Sequence, residues 1–122
     1  MKKTSNSEYI VMQAFWDNDG ALNRYELADI LSKPPYSQKW EVGTVSTFVS
    51  RLYAKGLIDY NRINKINQYY ATVGKREYVR TIINQKLQTV FKTNIEELIL
   101  AYAEADINED NLAKVNNFIE TL

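Results

Sequence analysis

The 122-residue sequence contains neither cysteine nor histidine. The lack of cysteine excludes disulfides, thiolate metal sites and a cysteine nucleophile, and the lack of histidine removes the commonest general base. The carboxylates show no spacing typical of a calcium-binding loop, and the sequence has no glycine-rich loop that could cradle a phosphate. We therefore expect no metal site, no cofactor and no enzymatic activity.

Long apolar runs are also absent from the sequence. No stretch approaches the roughly 20 apolar residues that a transmembrane helix needs. The basic start at Lys2 and Lys3 is not followed by the apolar segment of a signal peptide. These absences predict a cytoplasmic protein that does not insert into a membrane.

Charge is balanced over the whole chain but unevenly distributed along it. Residues 1–76 hold 11 basic and 7 acidic residues, whereas residues 77–122 hold 4 basic and 8 acidic ones. This asymmetry indicates that the basic segment 1–76 carries the main function and that the acidic segment 77–122 has another role. Chance is the alternative explanation for so small an excess.

Two helices are predicted near the start of the chain. Ser5 or Asn6 can cap the first, which ends at the turn residues 17–20, and Asn23 with Glu26 forms a capping pattern for the second. The adjacent prolines of the chain end the second helix. The apolar positions at helical spacing are Tyr9, Val11 or Met12, Phe15 and Trp16 in the first helix, and Leu27, Ile30 and Leu31 in the second.

A third amphipathic helix is predicted over residues 41–55. Its apolar stripe consists of valines and a leucine, whereas its outward face is small and polar instead of rich in Glu and Lys. Small side chains on that face allow close approach to another molecule. Gly56 ends the helix as a left-handed cap. The stripe is Val42, Val45, Val49 and Leu52.

Two strand-like runs, "LIDYNR" and "INQYYAT", follow this helix. They enclose a polar centre in which Arg62 and Lys65 lie near the hairpin tip. Three helices followed by such a hairpin indicate a winged helix-turn-helix, in which the third helix enters the DNA major groove and the hairpin follows the flanking backbone. The predicted fold is therefore mainly α with a small β-hairpin wing.

The remainder of the chain is predicted to be helical. Three amphipathic stripes cannot all be buried on a small winged domain, so we expect a partner chain to cover their apolar faces. We therefore predict a winged-helix DNA-binding domain over 1–73 and a helical dimerisation domain over 74–122, the alternative being that the stripes pack within one chain. The dimerisation candidates are Val79, Ile82, Ile83, Leu87, Val90, Phe91, Ile95, Leu98, Ile99, Tyr102, Leu112, Val115, Phe118, Ile119 and Leu122.

The segments "EYIVMQAFW", "KWEVGTVSTFVSRLYAKGLIDY" and "NKINQYY", in this order, resemble the BlaI/MecI family of penicillinase repressors, which includes copper-responsive members. The resemblance runs from Glu8 to the C-terminus and is strongest over Trp40–Tyr70. The positions that follow the family pattern are Trp40, Thr44, Thr47, Arg51, Leu52, Gly56, Ile58, Asp59, Lys65, Ile66, Gln68, Tyr69 and Tyr70.

This resemblance implies a homodimeric repressor that binds a palindromic operator and, in the penicillinase branch, is released when a membrane sensor-protease system leads to its cleavage. Three features depart from the family. Gly43 and Ser46 stand where basic residues are usual, which implies a different operator or weaker binding. Ala101 and Tyr102 align with the cleaved Asn–Phe bond, so cleavage by the same kind of receptor is in doubt, although another inducing protein could act there. The lack of cysteine excludes copper sensing through thiolates.

The predicted DNA contacts fall on the third helix and the hairpin. Hydroxyl groups can donate to or accept from base edges, and cations bind phosphates. Arg51 could instead pair with Asp59, and the aromatic residues Trp16, Trp40, Tyr69 and Tyr70 are expected to pack instead of stacking on bases. The base-reading candidates are Gly43, Thr44, Ser46, Thr47 and Ser50, and the backbone candidates are Lys39, Arg51, Arg62, Asn64 and Lys65.

A second hypothesis is a winged-helix protein-interaction module that has lost specific DNA binding. The neutral residues Gly43 and Ser46 motivate it. Under this hypothesis, removal of the charges on Arg62 and Lys65 leaves partner binding almost unchanged.

Overall fold

The computed structural model describes residues 1–92, 97, 113 and 117, and the chain divides into two compact units, Met1–Tyr78 and Val79–Leu122. The element order confirms the predicted fold of three helices followed by a hairpin and further helix. The elements are α1 Asn6–Asp17, α2 Arg24–Ser32, α3 Val42–Ala54, β1 Ile58–Ile63, β2 Ile66–Ala71, α4 Lys75–Lys86 and a π-helical turn, Leu87–Phe91.

Helices α1 and α2 each begin with a complete capping box. The Ser5 hydroxyl accepts the backbone N–H of Glu8 at 3.2 Å, and the Glu8 carboxylate accepts the N–H of Ser5 at 3.0 Å. Asn23 and Glu26 exchange the same two bonds at 2.9 and 3.1 Å, which confirms the predicted cap of α2. Four N–H groups that would lack helical partners are thereby satisfied.

The core lies between α1, α2 and α3, where the predicted apolar stripes face one another. Two details differ from the prediction. Ala28 is buried in α2 whereas Ile30 is half-buried, because Leu27, Ala28 and Leu31 form the central ridge of that helix. Tyr9 and Trp16 are half-buried at the edge of the α1 stripe. The buried apolar residues of the three helices are Val11, Met12, Ala14, Phe15, Leu27, Ala28, Leu31, Val45, Val49 and Leu52.

The chain reverses direction directly after α3. Gly56 has φ +75°, and the N–H groups of Gly56 and Leu57 donate to the carbonyl oxygens of Tyr53 at 2.9 Å and Leu52 at 3.1 Å. This pair of bonds is a Schellman motif, and Leu52 and Leu57 are both buried beside it. The predicted left-handed cap is confirmed, and it directs the chain at once into β1.

Strands β1 and β2 form an antiparallel hairpin that closes on the pair Ile63 and Ile66. A β-bridge attaches the hairpin to the helical part: Leu22 and Tyr69 exchange two backbone hydrogen bonds of 2.8 and 2.9 Å. The position of the hairpin is therefore set at one end by the end of α3 and along β2 by the segment that precedes α2.

Aromatic contacts join the start of α4 to α1. The Tyr78 ring lies 6.1 Å from that of Tyr9 and 5.7 Å from that of Trp16, and the Trp16 indole donates to the carbonyl oxygen of Val73 at 2.9 Å. The Thr4 N–H donates to the Tyr78 hydroxyl at 2.8 Å. Burial, and secondarily the nearby Tyr78, raises the pKa of Tyr9. Trp16 thus packs within the fold, as expected.

The loop between α2 and α3 is joined to the end of α1 by the Tyr36 hydroxyl, which donates to the Asp17 carboxylate. Partial burial and this carboxylate raise the pKa of Tyr36 to about 12. Tyr36 therefore stays a neutral donor throughout the ordinary pH range.

The predicted dimerisation stripe lies partly within the described residues. Ile82 and Leu87 are buried, and Val79 and Ile83 are half-buried. Val90 and Phe91 belong to the π-helical turn. The dimerisation role stays a prediction. The candidates outside the described residues are Ile95, Leu98, Ile99, Tyr102, Leu112, Val115, Phe118, Ile119 and Leu122, together with the cleavage-region residue Ala101.

Glu8 carries a second interaction that joins α1 to the end of α3. Its carboxylate is buried and accepts a hydrogen bond from the Lys55 ammonium, which also donates to the carbonyl oxygen of Lys3 at 3.0 Å. Burial alone raises the pKa of a carboxyl group. The bonds from Lys55 and Ser5 and the charges of Lys55 and Arg51 outweigh burial, so the pKa of Glu8 lies below its ordinary value.

We predict that Glu8→Gln lowers the free energy of unfolding by about 2 to 3 kcal/mol, because the cap acceptor is kept while the Lys55 ammonium loses its buried partner. Urea unfolding, followed by tryptophan fluorescence, measures this change. Since the folded pKa of Glu8 is depressed, its contribution is complete above about pH 5 and is lost as the pH falls through the folded pKa. The variant should therefore lose less stability on acidification than the original protein.

The double variant Glu8→Gln/Lys55→Met tests whether the two side chains act as a pair. Its loss should be smaller than the sum of the two single losses, because neither charge is then left alone. Asp29→Asn, which breaks the exposed Lys33–Asp29 pair, is the matched control and should change stability little. Additive losses would show that the pair is not coupled.

Candidate nucleic-acid interface

The outward face of α3 presents small and hydroxyl-bearing side chains to solvent. Gly43, Thr44, Thr47 and Ser50 are exposed, on the side of the helix opposite the buried valines. A Cβ atom at Gly43 would project into open space. The Thr47 hydroxyl donates to the carbonyl oxygen of Gly43 at 3.2 Å and so keeps its lone pairs for an outside donor. Four of the five predicted base-reading positions therefore share one accessible surface.

Ser46 is placed differently from the other four base-reading candidates. It is half-buried, and its hydroxyl oxygen is buried without a hydrogen-bond partner among the described residues. The hydroxyl therefore does not point outward in this structure. Ser46 and Thr44 flank the buried stripe on opposite sides, and the flank that carries Ser46 is the more covered one at this position.

Arg51 continues the same exposed face toward the end of α3. Its charge lowers the pKa of Glu8. Within the described part of the chain it forms no ion pair with Asp59, whose carboxylate instead accepts the N–H of Tyr60 at 2.8 Å. Lys39 is exposed in the segment that precedes the helix. Both cations are available to a ligand on this side of the fold.

The wing tip is a two-residue turn formed by Asn64 and Lys65. Both residues have positive φ, +50° and +65°, which defines a type I′ turn. Behind the turn, Arg62 donates to the Asn67 side-chain oxygen and Asn67 donates to the Tyr69 hydroxyl, both at 3.2 Å. The three predicted wing candidates are therefore gathered within four residues, and Arg62 is held in place on one face of the hairpin.

Three tyrosines connect α3 to the wing; we call Tyr53, Tyr60 and Tyr69 the tyrosine ladder. The ring centroids of Tyr53 and Tyr60 are 5.4 Å apart, and those of Tyr60 and Tyr69 are 5.6 Å apart. Tyr53 and Tyr60 are 49% and 37% exposed. Neither residue belongs to the set of contacts predicted from the sequence. A two-residue turn at 64–65 places residue 60 opposite residue 69, so the hairpin register was the signal that could have revealed Tyr60.

A further missed cation lies at the start of α2. The Arg24 guanidinium is 5.0 Å from the Tyr25 ring centroid and donates to the Tyr25 hydroxyl at 3.0 Å. In helix-turn-helix proteins the helix before the recognition helix crosses the DNA backbone, and Arg24 occupies that place. Trp40 packs against Phe48 with ring centroids 4.9 Å apart, in agreement with the expected packing role.

The described residues contain no group of acidic side chains arranged to hold a metal ion. They also contain no helix long and apolar enough to cross a membrane. The surface combines an exposed helix face rich in hydroxyl groups with a wing that carries cations. Together with the three-helix core, this arrangement defines a winged helix-turn-helix protein.

Comparison with known proteins assigns the chain more narrowly. The sequence model described as "Penicillinase repressor" matches residues 4–121, and the chain belongs to this family of repressors. The methicillin resistance regulatory proteins MecI of Mammaliicoccus sciuri and of Staphylococcus aureus strain N315 are 28% and 29% identical to it over 117 residues, which are 94% of this chain and 91% of theirs. The predicted family is thereby confirmed.

Solved structures support the fold. The DNA-binding domain of the repressor BlaI superposes with a TM-score of 0.53 at 27% identity, covering 64% of this chain and 94% of that domain. Monomeric BlaI of Bacillus licheniformis, solved in complex with the blaP half-operator, superposes with a TM-score of 0.51 at 25% identity, covering 63% and 89%.

The positive φ of Lys65 leads to a prediction about the stability of the wing turn. Lys65→Gly should raise the free energy of unfolding by about 1 kcal/mol, because glycine adopts positive φ without the clash that a Cβ atom imposes. Urea unfolding measures the change. Lys65→Ala removes the same charge but keeps the Cβ atom, so it should give no such gain. Equal stabilities of the two variants would contradict a strained turn.

Proposed function

We propose that this protein is a dimeric, sequence-specific DNA-binding repressor. The outward face of α3 enters the major groove of one half of a palindromic operator, and the wing lies along the flanking phosphates. The observation that carries the proposal is that a wing bearing Arg62 and Lys65 is joined, through the contact between the Tyr53 and Tyr60 rings, to a helix whose exposed face consists of glycine and hydroxyl residues. Hydroxyl groups suit base edges, and cations suit phosphates.

Two groups of relatives support this proposal. BlaI, with which this chain shares its winged fold, was solved as a monomeric form on a half-operator, so one such domain corresponds to one half-site there. The MecI proteins, which match along 94% of this chain, are named as regulatory proteins. Both observations support a DNA-binding regulatory role for this chain.

The dimer is proposed on energetic grounds. Each winged domain offers few cations to phosphates, namely the predicted Lys39, Arg51, Arg62 and Lys65 together with Arg24, and the part of α3 that faces outward is otherwise neutral. One helix and a few cations give modest affinity, whereas two linked domains double the contacts and match a two-fold symmetric site. The segment 74–122 is the proposed dimerisation domain.

Release from DNA is proposed to depend on an input other than copper binding by thiolates, because the chain has no cysteine. Cleavage near Ala101 and Tyr102 under the control of a membrane sensor-protease stays one candidate route. Persistence of the intact chain after induction would eliminate it.

The decisive experiment is selection of bound duplexes from a random-sequence pool, at two salt concentrations. Enrichment of a palindrome supports the proposal and identifies the operator. Weak binding without enrichment would overturn it. Sedimentation equilibrium of the same protein preparation determines whether it is a dimer before DNA is added.

The alternative function is a protein-interaction module that uses the neutral face of α3. Gly43 favours it, since an exposed glycine at the start of a reading helix provides no hydrogen-bonding side chain. Loss of sequence preference together with salt-insensitive binding of a protein partner would favour this alternative.

We predict that Arg62→Gln and Lys65→Gln each reduce the slope of log affinity against log salt by about 1 per subunit, because each removed cation releases one counterion fewer. Lys33→Gln is the matched control. The Lys33 ammonium is bound to Asp29 at 2.9 Å, so its removal should leave the slope unchanged. Equal slopes for all three variants would show that the wing does not contact phosphates.

Gly43→Lys should strengthen binding to duplex DNA of any sequence and increase the salt slope by about 1 per subunit. The new side chain meets open space, and lysine is a better helix former than glycine, so stability should not fall. Fluorescence anisotropy with a non-operator duplex measures the affinity. Gly43→Gln separates added charge from added bulk, and an equal gain in that variant would contradict an electrostatic cause.

A further inference from the structure

The tyrosine ladder lies between the two surfaces to which DNA binding has been assigned. Tyr53 follows Ser50 by three residues and therefore sits one helical turn along, at the rim of the outward face of α3. Tyr60 and Arg62 are two residues apart on β1 and so project from the same face of the hairpin. Consecutive ring contacts of 5.4 and 5.6 Å join these positions through Tyr53, Tyr60 and Tyr69. The ladder thus spans the gap between the reading helix and the cationic wing.

A duplex that touches both α3 and the wing must pass over this span. When a helix occupies the major groove and the adjoining hairpin follows the flanking backbone, the surface between them faces the edge of the groove, where the phosphodiester chain runs. Tyr53 and Tyr60 are 49% and 37% exposed on that surface. Phenolic hydroxyls are neutral donors that commonly bind phosphate oxygens.

We propose that the hydroxyl groups of Tyr53 and Tyr60 donate hydrogen bonds to backbone phosphates of the operator at the edge of the major groove. The inference rests on the proposed function and extends it to two residues outside the predicted contact set. The bound group is a phosphodiester oxygen, and the two tyrosines contact it without reading sequence.

Tyr69 has a different role, which is to position the other two. Its hydroxyl accepts a hydrogen bond from Asn67 at 3.2 Å, its ring supports that of Tyr60, and its backbone is bonded to Leu22. These contacts fix the ladder to the segment before α2. Tyr69 is therefore a positioning residue and not a DNA contact.

The proposal has a signature that distinguishes it from a contact made by a cation. A neutral donor releases no counterion when it binds a phosphate, so its removal weakens binding without changing the salt slope. Removal of the charge on Arg62 or Lys65 changes both the affinity and the salt slope. Because the contact carries no sequence information, the loss should be similar for operator and non-operator duplexes.

The test uses the full-length protein and three conservative variants, Tyr53→Phe, Tyr60→Phe and Tyr70→Phe, each with the selected operator duplex. Phenylalanine keeps the ring contacts and removes only the hydroxyl group. Tyr70 is the matched control, since it lies next to Tyr69 on β2 and so projects from the opposite face of the hairpin. We expect Tyr53→Phe and Tyr60→Phe each to weaken binding by about 5- to 20-fold, with unchanged salt slope, and Tyr70→Phe to bind like the original protein.

Several outcomes would overturn the proposal. Unchanged affinity in Tyr53→Phe and Tyr60→Phe would show that the ladder serves packing alone. An equal loss in Tyr70→Phe, or a lower urea midpoint in the affected variants, would assign the effect to altered folding. If the original protein itself enriches no duplex, the proposed function fails, and that result is read from the selection before any variant is made.

Discussion

The reversal of the chain at Gly56 is the constraint on which the DNA-binding arrangement depends. The left-handed glycine and the two Schellman hydrogen bonds stop α3 within one turn of Arg51 and start β1 two residues later. A longer connection would let the hairpin swing away from the helix. The short one places Tyr53 at the end of α3 against Tyr60 on β1, so that the reading helix and the wing form one surface. The Leu22–Tyr69 bridge then fixes β2, and further contacts with α1, α2 and α3 hold the hairpin against the helices.

Much of this arrangement was predictable because it rests on local chemistry. Capping residues, turn residues and the period of apolar side chains act over a few positions, and they located α1, α2, α3 and the hairpin correctly. Whether a residue at the edge of an apolar stripe is buried or exposed was harder to predict. Ala28 is buried beside Leu27 and Leu31 whereas Ile30 is half-buried, because the packing between elements decides which side of that stripe is covered. Ser46 was assigned to the DNA-facing surface from its polarity, but its hydroxyl oxygen is buried, because packing covers that flank of α3.

Interactions that link distant parts of the chain were not predictable from the sequence. Nothing local to Glu8 indicates that its carboxylate meets Lys55, and nothing local to Tyr53 indicates that it adjoins Tyr60. Such pairs depend on how elements pack after they form. The individual DNA contacts belong to the same class, because they are set by the docking angle of a helix that the protein alone does not determine. Family membership, by contrast, followed from a run of matching residues over Trp40–Tyr70.

The chain contains no histidine, and this bears on how its charges respond to pH. Histidine is the side chain whose ordinary pKa lies between pH 5 and 8. The pKa of the Glu8 carboxyl is lowered and the pKa values of the Tyr9 and Tyr36 phenols are raised, so all three pKa values lie farther from pH 7 than usual. A change of pH near 7 therefore leaves the Glu8 carboxylate, which joins α1 to the end of α3, ionised.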